Sequence, residues 1–195
     1  MFLLKDDYWQ IKKTKEKGYG IFAKKKINTG TIIGDYLGKV IKIADYDLDN
    51  DNKGLFLMYF TDQAAIYPDL KKNGIHLLNH SCVPNCWIYT YHGHTLFFAL
   101  RKIEQGEELT ISYLLSPKSK NCKPCTHTCK CSSKFCTGTM HLSEEKYEKW
   151  QKFQNEEEKK TKTTEFIFGK NLPKLNSYPK IIPNNPIYAI ISSSD

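Results

Sequence analysis

The sequence predicts a mostly β protein with one C-terminal helix. Short runs of β-branched and aromatic residues, separated by turn residues, occupy much of the chain between residues 20 and 115. Apolar residues show little helical periodicity before residue 140, whereas Tyr147, Trp150 and Phe153 recur at helical spacing after it. Five of the seven cysteines lie between Cys122 and Cys136, in a segment with few large apolar side chains. Such a segment cannot form a core alone, so a metal would have to hold it together.

Five apolar segments predict the strands of the β part. GIFAKKKI and TIIGDYLGKVIKI are separated by NTG, which is a typical turn sequence. LFLMYF and TLFFALRKI are apolar runs of strand length, and GEELTISYLL enters a further strand through a glycine turn. The result is a core of many short strands.

One amphipathic helix is predicted over residues 143–162. Ser143 is a good N-cap with two glutamates in the first turn, and Leu142 and Tyr147 can form a hydrophobic staple across it. The aromatic stripe of this helix is expected to dock on the body of the protein. Four of the eight prolines follow within residues 173–186, which predicts an extended, partly disordered tail over 163–195.

Composition restricts the class of protein and of partner. The 195 residues form one domain with an appendage, and no stretch approaches the length of a membrane span or a signal peptide. An intracellular protein in a reducing compartment is therefore expected, in which an odd number of cysteines favours metal binding over disulfides. The formal net charge of +8 is concentrated in lysine-rich stretches. These suit nucleic acid, an acidic protein surface or an anionic cofactor.

Four motifs carry chemical information. KGYG, residues 17–20, lets the backbone approach a ligand closely, and NHSCVPNC, residues 79–86, crowds a histidine and two cysteines around a proline. GEELTISY, residues 106–113, ends a strand on a tyrosine. CKCSSKFCTG, residues 129–138, offers three cysteines to a zinc ion, which prefers four ligands, and Cys82 is a candidate for the fourth.

In this order the four motifs resemble the SET-domain family of lysine methyltransferases with a post-SET zinc segment, over roughly residues 8–142. The resemblance implies a SET-domain fold of several small curved sheets with a pseudoknot, in which the segment carrying GEELTISY passes beside NHSC. It implies a SET domain over residues 1–115 and a post-SET zinc-binding segment over 116–142. The helix and the tail would follow as separate parts.

The resemblance also assigns a site. Tyr113 matches the family's catalytic tyrosine, whose hydroxyl lies close to the methyl-transfer axis. Contacts to S-adenosylmethionine are implied for Lys17, Gly18, Tyr19, Gly20, Asn79 and His80. The substrate channel is expected to be lined by Tyr36, Phe56, Tyr59 and Ile111. One structural Zn²⁺ is expected on Cys82, Cys129, Cys131 and Cys136.

The function implied is methylation of a lysine side chain in a histone or another basic protein, using S-adenosylmethionine. Ser112 and Ile111 depart from common family choices, and Ile111 leaves mono-, di- and trimethylation open. Acidic loop residues are candidates to line a groove for a basic peptide: Asp45, Asp47, Asp49 and Asp51. In a eukaryote or a eukaryotic host, such an enzyme would act in the nucleus or on chromatin, close to nucleic acid. Otherwise it would act in the cytoplasm. No membrane partner is expected. The alternative is a non-catalytic zinc-containing module that binds nucleic acid or a protein partner.

The remaining cysteines and histidines give weaker signals. Cys122 and Cys125, with His127 nearby, supply half of a second metal site, and spare thiols in a loop are the favoured interpretation. Cys86 is expected to be a small buried residue. His92, His94 and His141 are expected at surface or loop positions.

Overall fold

A computed structural model describes residues 6–46, 56–160 and 168–180. Within these ranges short strands form three small sheets and one α-helix follows them, which confirms the predicted fold class. The strands are β1 Trp9–Lys13, β2 Tyr19–Ala23, β3 Ile32–Asp35, β4 Lys39–Lys42, β5 Met58–Tyr59, β6 Ala64–Tyr67, β7 Asn79–His80, β8 Cys86–Tyr91, β9 His94–Ala99 and β10 Glu108–Ile111; the helix is α1 Glu144–Lys160.

The first sheet has the order β1-β2-β10-β7 and brings three of the four motifs together. β1 and β2 form an antiparallel hairpin, and Gly18 adopts a left-handed φ of 72° in its turn. β10 pairs with β2 on one side in antiparallel fashion. On its other side it pairs in parallel with β7, with Thr110 opposite Asn79 and Ile111 opposite His80. GEELTISY therefore lies beside NHSC, as the resemblance implies.

The other two sheets complete the core. They have the orders β3-β9-β8 and β4-β6-β5. Every residue of β9 is buried, because this strand lies between β3 and β8 and its side chains contact the core. Phe97 and Leu96 on β9 are fully enclosed. Burying such side chains stabilises the fold by roughly 1.5–3 kcal/mol each.

The helix α1 packs on the β8–β9 hairpin through its aromatic stripe. Trp150 is buried in a second apolar cluster with Trp87, Phe98 and Leu114. The amide of Tyr147 donates to the Ser143 carbonyl at 3.0 Å, which is the hydrogen bond expected for a helix that begins after Ser143. The last two residues of the predicted helix, 161 and 162, lie outside the described residues.

Two segments are irregular. Residues 116–142 take part only in isolated β-bridges, which join Leu115 to His141 and Thr128 to Thr139. Residues 168–180, from the predicted tail, lie against the edge of β4, where the Lys170 carbonyl accepts from the Val40 amide at 3.0 Å. The rest of that tail lies outside the described residues. In the described ranges no helix is both long and apolar enough to span a membrane.

Candidate active site and cysteine clusters

Two cavities meet at the end of β10. The first, of about 410 Å³, is lined by the KGYG turn and by the start of NHSCVPNC. The second, of about 470 Å³, lies between β5 and the helix α1. Tyr113 and His76 are parts of the walls of both cavities.

Tyr113 is fixed at both its main chain and its hydroxyl. The amide donates to His80 Nδ1 at 3.2 Å, and the hydroxyl donates to the Leu78 carbonyl at 3.1 Å. Burial raises the pKa of Tyr113 to about 12. The hydroxyl is therefore neutral at physiological pH. With its proton committed to Leu78, its oxygen lone pairs can accept a hydrogen bond from an incoming donor.

A polar network joins the KGYG turn to β7 and β10. Glu108 accepts from Lys17 Nζ at 2.5 Å and from Asn79 Nδ2 at 2.8 Å. Asn79 Nδ2 also lies 3.0 Å from the Tyr19 carbonyl, to which it donates. A Cβ on Gly20 would meet Glu108 Oε1 at 2.6 Å and Asn79 Nδ2 at 2.7 Å. Gly20 therefore makes room for the network, whereas Lys17, Gly18, Tyr19, Asn79 and His80 line the first cavity.

His80 is buried and neutral. Burial and the nearby charge of Lys17 lower its pKa to about 4. Since Nδ1 accepts from the Tyr113 amide, the ring proton resides on Nε2, which lies 3.6 Å from Cys82 Sγ. His80 thus joins Tyr113 to Cys82, one of the four predicted zinc ligands.

Asn85 has a role that was not predicted from the sequence. Its side chain is buried, accepts from the Thr110 amide at 2.9 Å and donates to the Glu108 carbonyl at 2.8 Å. This pair of hydrogen bonds fixes NHSCVPNC against β10. An asparagine beside a proline inside the motif was the only available signal, since such a side chain needs partners when it is buried.

The predicted channel residues divide between the two cavities. Tyr36, Tyr59 and Ile111 line the second cavity, together with Trp150 from the helix. Phe56 lines the first cavity, and its carbonyl accepts from the Tyr36 hydroxyl at 2.5 Å. Burial raises the pKa of Tyr36. The second cavity is therefore an aromatic and aliphatic space that ends at Tyr113.

One acidic side chain, that of Asp62, also lines the second cavity. Asp62 was not among the aspartates predicted from the sequence to line a peptide groove. Of the four that were, Asp45 lies exposed on a short 3-10 turn, Ile43–Asp45, and the other three lie outside the described residues.

The four predicted zinc ligands lie together. The sulfurs of Cys82, Cys129, Cys131 and Cys136 are all within 4.8 Å of one another, and those of Cys82 and Cys129 are 3.6 Å apart. A tetrahedral zinc ion with bonds of about 2.3 Å places its sulfurs about 3.8 Å apart. Four thiols in this arrangement fit a structural zinc ion, which would link NHSCVPNC to residues 129–136.

Cys122 and Cys125 form a second cluster with His127 and His141, in which the four ligand atoms all lie within 4.8 Å of one another. His141, expected at a surface or loop position, is partly exposed in the irregular segment 116–142. The expectation for His94 is wrong. His94 is buried in β9 and its Nδ1 lies 2.8 Å from Asp35 Oδ2 on the neighbouring strand β3. Cys86 is fully buried, as predicted.

Comparison with known proteins gives consistent matches. The SET-domain family model matches residues 18–114. The chain is 30% identical over 139 residues to "Histone-lysine N-methyltransferase trithorax" of Drosophila virilis, which covers 67% of this chain and 4% of that protein. It is 33% identical over 137 residues to "Histone-lysine N-methyltransferase, H3 lysine-36 specific" of Eremothecium gossypii, covering 65% and 19%. It is 33% identical over 158 residues to "Histone-lysine N-methyltransferase, H3 lysine-9 specific" of Schizosaccharomyces pombe, covering 67% and 32%.

The chain thus spans less than a third of the length of each of these relatives. The region that the family model matches, residues 18–114, includes NHSCVPNC and ends one residue after Tyr113. Three small sheets, the parallel β7–β10 pair and this match together show that the chain belongs to the SET-domain family.

Proposed function

We propose that this chain is a protein-lysine N-methyltransferase that uses S-adenosylmethionine. The observation that carries the proposal is Tyr113, which stands where two cavities meet and is held there by Leu78 and His80. A transfer reaction needs this arrangement, because donor and acceptor enter from different sides and meet at one aligned point. The family match and the relatives' names support the reaction type.

The first cavity suits the cofactor. Lys130 brings positive charge for a carboxylate, whereas the charge of Lys17 is compensated by Glu108. The Asn79 amide is a hydrogen-bonding group, and the rings of Tyr19 and Phe56 offer flat apolar surface for an adenine. Its volume of about 410 Å³ falls within the usual range of ligand sites. When bound, S-adenosylmethionine supplies an electrophilic methyl group on a sulfonium.

The protein's contribution is to deliver a neutral, aligned amine. A free lysine has a pKa of about 10.4, and entry into the aromatic second cavity lowers this value by desolvating the ammonium group. Tyr113 is too weak an acid to be ionised at neutral pH, so it does not act as the base. Its hydroxyl oxygen instead accepts an N–H of the amine and turns the nitrogen lone pair toward the first cavity.

The substrate we infer is a lysine in an extended basic segment, such as a histone tail or another basic protein. Extended peptides add as a strand to a sheet edge. In the sheet β4-β6-β5, residues 169–172 lie along β4, so β5 is the edge beside the second cavity. Asp62 lines that cavity, and its carboxylate can attract a basic peptide.

The cysteine cluster of Cys82, Cys129, Cys131 and Cys136 is proposed to hold a structural zinc ion. The ion would link the post-SET segment to Cys82, two positions after His80. The same segment contributes to the first cavity through residues within 126–130. Loss of this zinc should therefore weaken cofactor binding as well as fold stability. Action on chromatin, near nucleic acid, is consistent with the net charge of +8 and with the relatives' names.

The test combines binding and turnover. Calorimetry with S-adenosylmethionine measures cofactor binding, and mass spectrometry of histones and of a lysate treated with isotope-labelled cofactor locates and counts added methyl groups. Tyr113→Phe should keep cofactor affinity within about threefold and lose at least about 100-fold in methyl transfer, since the orienting hydroxyl is gone. Tyr91→Phe, in the β8–β9 hairpin, is the matched control and should keep both.

The alternative of a non-catalytic binding module makes a different prediction. Wild-type protein would then neither bind S-adenosylmethionine nor label any lysine, and a nucleic acid or partner protein would bind equally well to the Tyr113→Phe variant. If correctly folded wild-type protein does not bind S-adenosylmethionine, or labels no lysine, the methyltransferase proposal is overturned.

A further inference from the structure

A second group of metal-ligating side chains lies within the post-SET segment. Cys122, Cys125, His127 and His141 each direct one ligand atom to a common point, and these atoms are all within 4.8 Å of one another. Cys122 and His127 are buried, and Cys125 and His141 are partly exposed. None of these four residues belongs to the Cys82 cluster. We propose that they bind a second structural zinc ion.

The distances between the ligand atoms fit zinc. A tetrahedral ion with bonds of about 2.3 Å to sulfur and about 2.0–2.1 Å to nitrogen places sulfur and nitrogen about 3.6 Å apart. His127 Nδ1 lies 3.5 Å from Cys122 Sγ and 3.9 Å from Cys125 Sγ. His141 Nε2 lies 3.8 Å and 3.6 Å from the same two sulfurs. All four separations are within about 0.3 Å of the value that a zinc ion requires.

The tautomer of His141, with its ring proton on Nδ1, is the one that a zinc ligand bound through Nε2 requires. Its Nδ1 donates to the Ser116 carbonyl at 2.6 Å, so in the neutral ring Nε2 carries a lone pair and faces the two sulfurs. A zinc-binding histidine commonly donates its other ring N–H to a carbonyl in this way. The rings of His127 and His141 lie 4.9 Å apart at 89°, which allows two nitrogens to approach one point without a ring clash.

A second ion would have a structural task that the segment cannot perform otherwise. Residues 116–142 contain few large apolar side chains, and they form no strand or helix. The ion would join residues 122–127 to His141, which is paired with Leu115 at the end of the SET domain. The next residue, Leu142, donates its amide to the Leu115 carbonyl at 3.0 Å, immediately before the helix α1. The second ion would therefore fix the start of that helix.

The two sites would be distinct in ligand chemistry, which makes them separable by experiment. Four thiolates form the first, and two thiolates with two imidazoles form the second. The mean zinc environment in a fully loaded chain is therefore three sulfurs and one nitrogen. With the first site alone it is four sulfurs and no nitrogen.

The test uses the full chain, expressed with added zinc and purified with a phosphine reductant and without chelator. Elemental analysis should give two zinc ions per chain, and zinc X-ray absorption should give a mean shell of three sulfurs and one nitrogen. One ion per chain with an all-sulfur shell would overturn the proposal. Thiol titration of a second preparation, purified without any reductant and then denatured and chelated, should find all seven cysteines free. Five free thiols, from a disulfide between Cys122 and Cys125, would also overturn it.

Variants assign the ions to their ligands. Cys125→Ser should leave about one zinc ion in an all-sulfur site, whereas Cys131→Ser should raise the nitrogen fraction of the zinc that remains. Cys86→Ala, at a buried cysteine outside both clusters, is the control and should keep two ions. If Cys125→Ser does not fold, the absorption spectrum of the wild-type protein still decides, because it needs no variant. None of these measurements depends on methyltransferase activity.

Discussion

Gly20→Ala tests the polar network that joins the KGYG turn to β7 and β10. A Cβ at this position would lie 2.6 Å from Glu108 Oε1 and 2.7 Å from Asn79 Nδ2. Contacts of a Cβ atom shorter than 3.0 Å essentially do not occur, so both atoms must retreat by about 0.3–0.4 Å. These two atoms are hydrogen-bonded to each other at 2.8 Å, and Glu108 is also paired with Lys17.

The expected cost follows from what must move. Weakening a hydrogen bond to a charged group costs about 1.5–3 kcal/mol, and overpacking costs a similar amount when the neighbours cannot yield fully. We expect the free energy of unfolding to fall by about 2 kcal/mol, a factor of about 30 in the folding equilibrium. Because Asn79 and Lys17 line the first cavity, S-adenosylmethionine should also bind at least about tenfold more weakly.

Urea unfolding and calorimetry measure the two effects. Gly30→Ala is the matched control, since Gly30 has a φ of 75° but no atom of the described residues lies within 4 Å of the point that a Cβ would occupy. It should cost about 1 kcal/mol from backbone strain and leave cofactor affinity unchanged. In a Glu108→Ala background the cost of Gly20→Ala should shrink by about 1 kcal/mol or more, because one of the two clashes is removed. An unfolding free energy within about 0.5 kcal/mol of wild type, with cofactor affinity unchanged, would refute the reasoning.

Three further predictions concern Tyr113, His94 and Trp150. Because folding raises the pKa of Tyr113 from 10.0 to about 12, the folded state keeps a proton that the unfolded state loses. The free energy of unfolding should therefore fall as pH rises above 10. Between pH 9 and 11 it should fall by about 1 kcal/mol more in the wild type than in Tyr113→Phe. If urea unfolding gives the same pH dependence of stability for both proteins, the prediction is contradicted. His94→Leu should lower the free energy of unfolding in urea by about 3 kcal/mol, since it leaves the buried Asp35 carboxylate without its 2.8 Å partner. Adding Asp35→Asn to that variant should recover part of the lost stability. A loss below about 1 kcal/mol for His94→Leu would count against the pair. Trp150→Ala should lower the free energy of unfolding by about 3 kcal/mol, because it empties a buried site. It should also raise the KM for the peptide, since Trp150 lines the second cavity, with little change in the Kd of the cofactor. Lys152→Ala, at an exposed position of the same helix, should change neither the stability nor the peptide KM; an unchanged peptide KM in Trp150→Ala would mean that the helix is not part of the peptide site.

The five apolar segments singled out in the sequence contain β2, β3, β4, β5, β9 and β10, so local pattern predicts these strands. β1 and β8 lie outside those segments, although CWIYTY of β8 is itself a run of aromatic and β-branched residues. β6 reads AAIY, and alanine has a weak strand preference; it is a strand because it lies between β4 and β5. β7 has two residues and exists only through its pairing with β10. No local pattern encodes such a pairing.

The site was predictable where short motifs carried it. The cysteines of CKCSSKFCTG and Cys82 could be combined because the resemblance supplied the fourth ligand. The second cluster could not be assembled in this way, since His141 is 14 residues beyond His127 and no motif joins them. Asp62 was missed for a similar reason, because only the folded chain places this loop residue at the second cavity. The division of Phe56 and Tyr36 between two cavities likewise depends on tertiary packing.

The β7–β10 pairing has a consequence for how the protein folds during synthesis. The contact between Lys17 and Glu108 spans 91 positions, and β7 has no sheet partner in the described structure until Thr110 and Ile111 exist. A nascent chain that ends before residue 111 therefore contains KGYG and NHSCVPNC but cannot assemble the first cavity. Contacts of such separation form late and slowly, because a long loop must close before any of them is made. Cofactor added to ribosome-bound chains should accordingly be retained only after β10 has emerged from the exit tunnel.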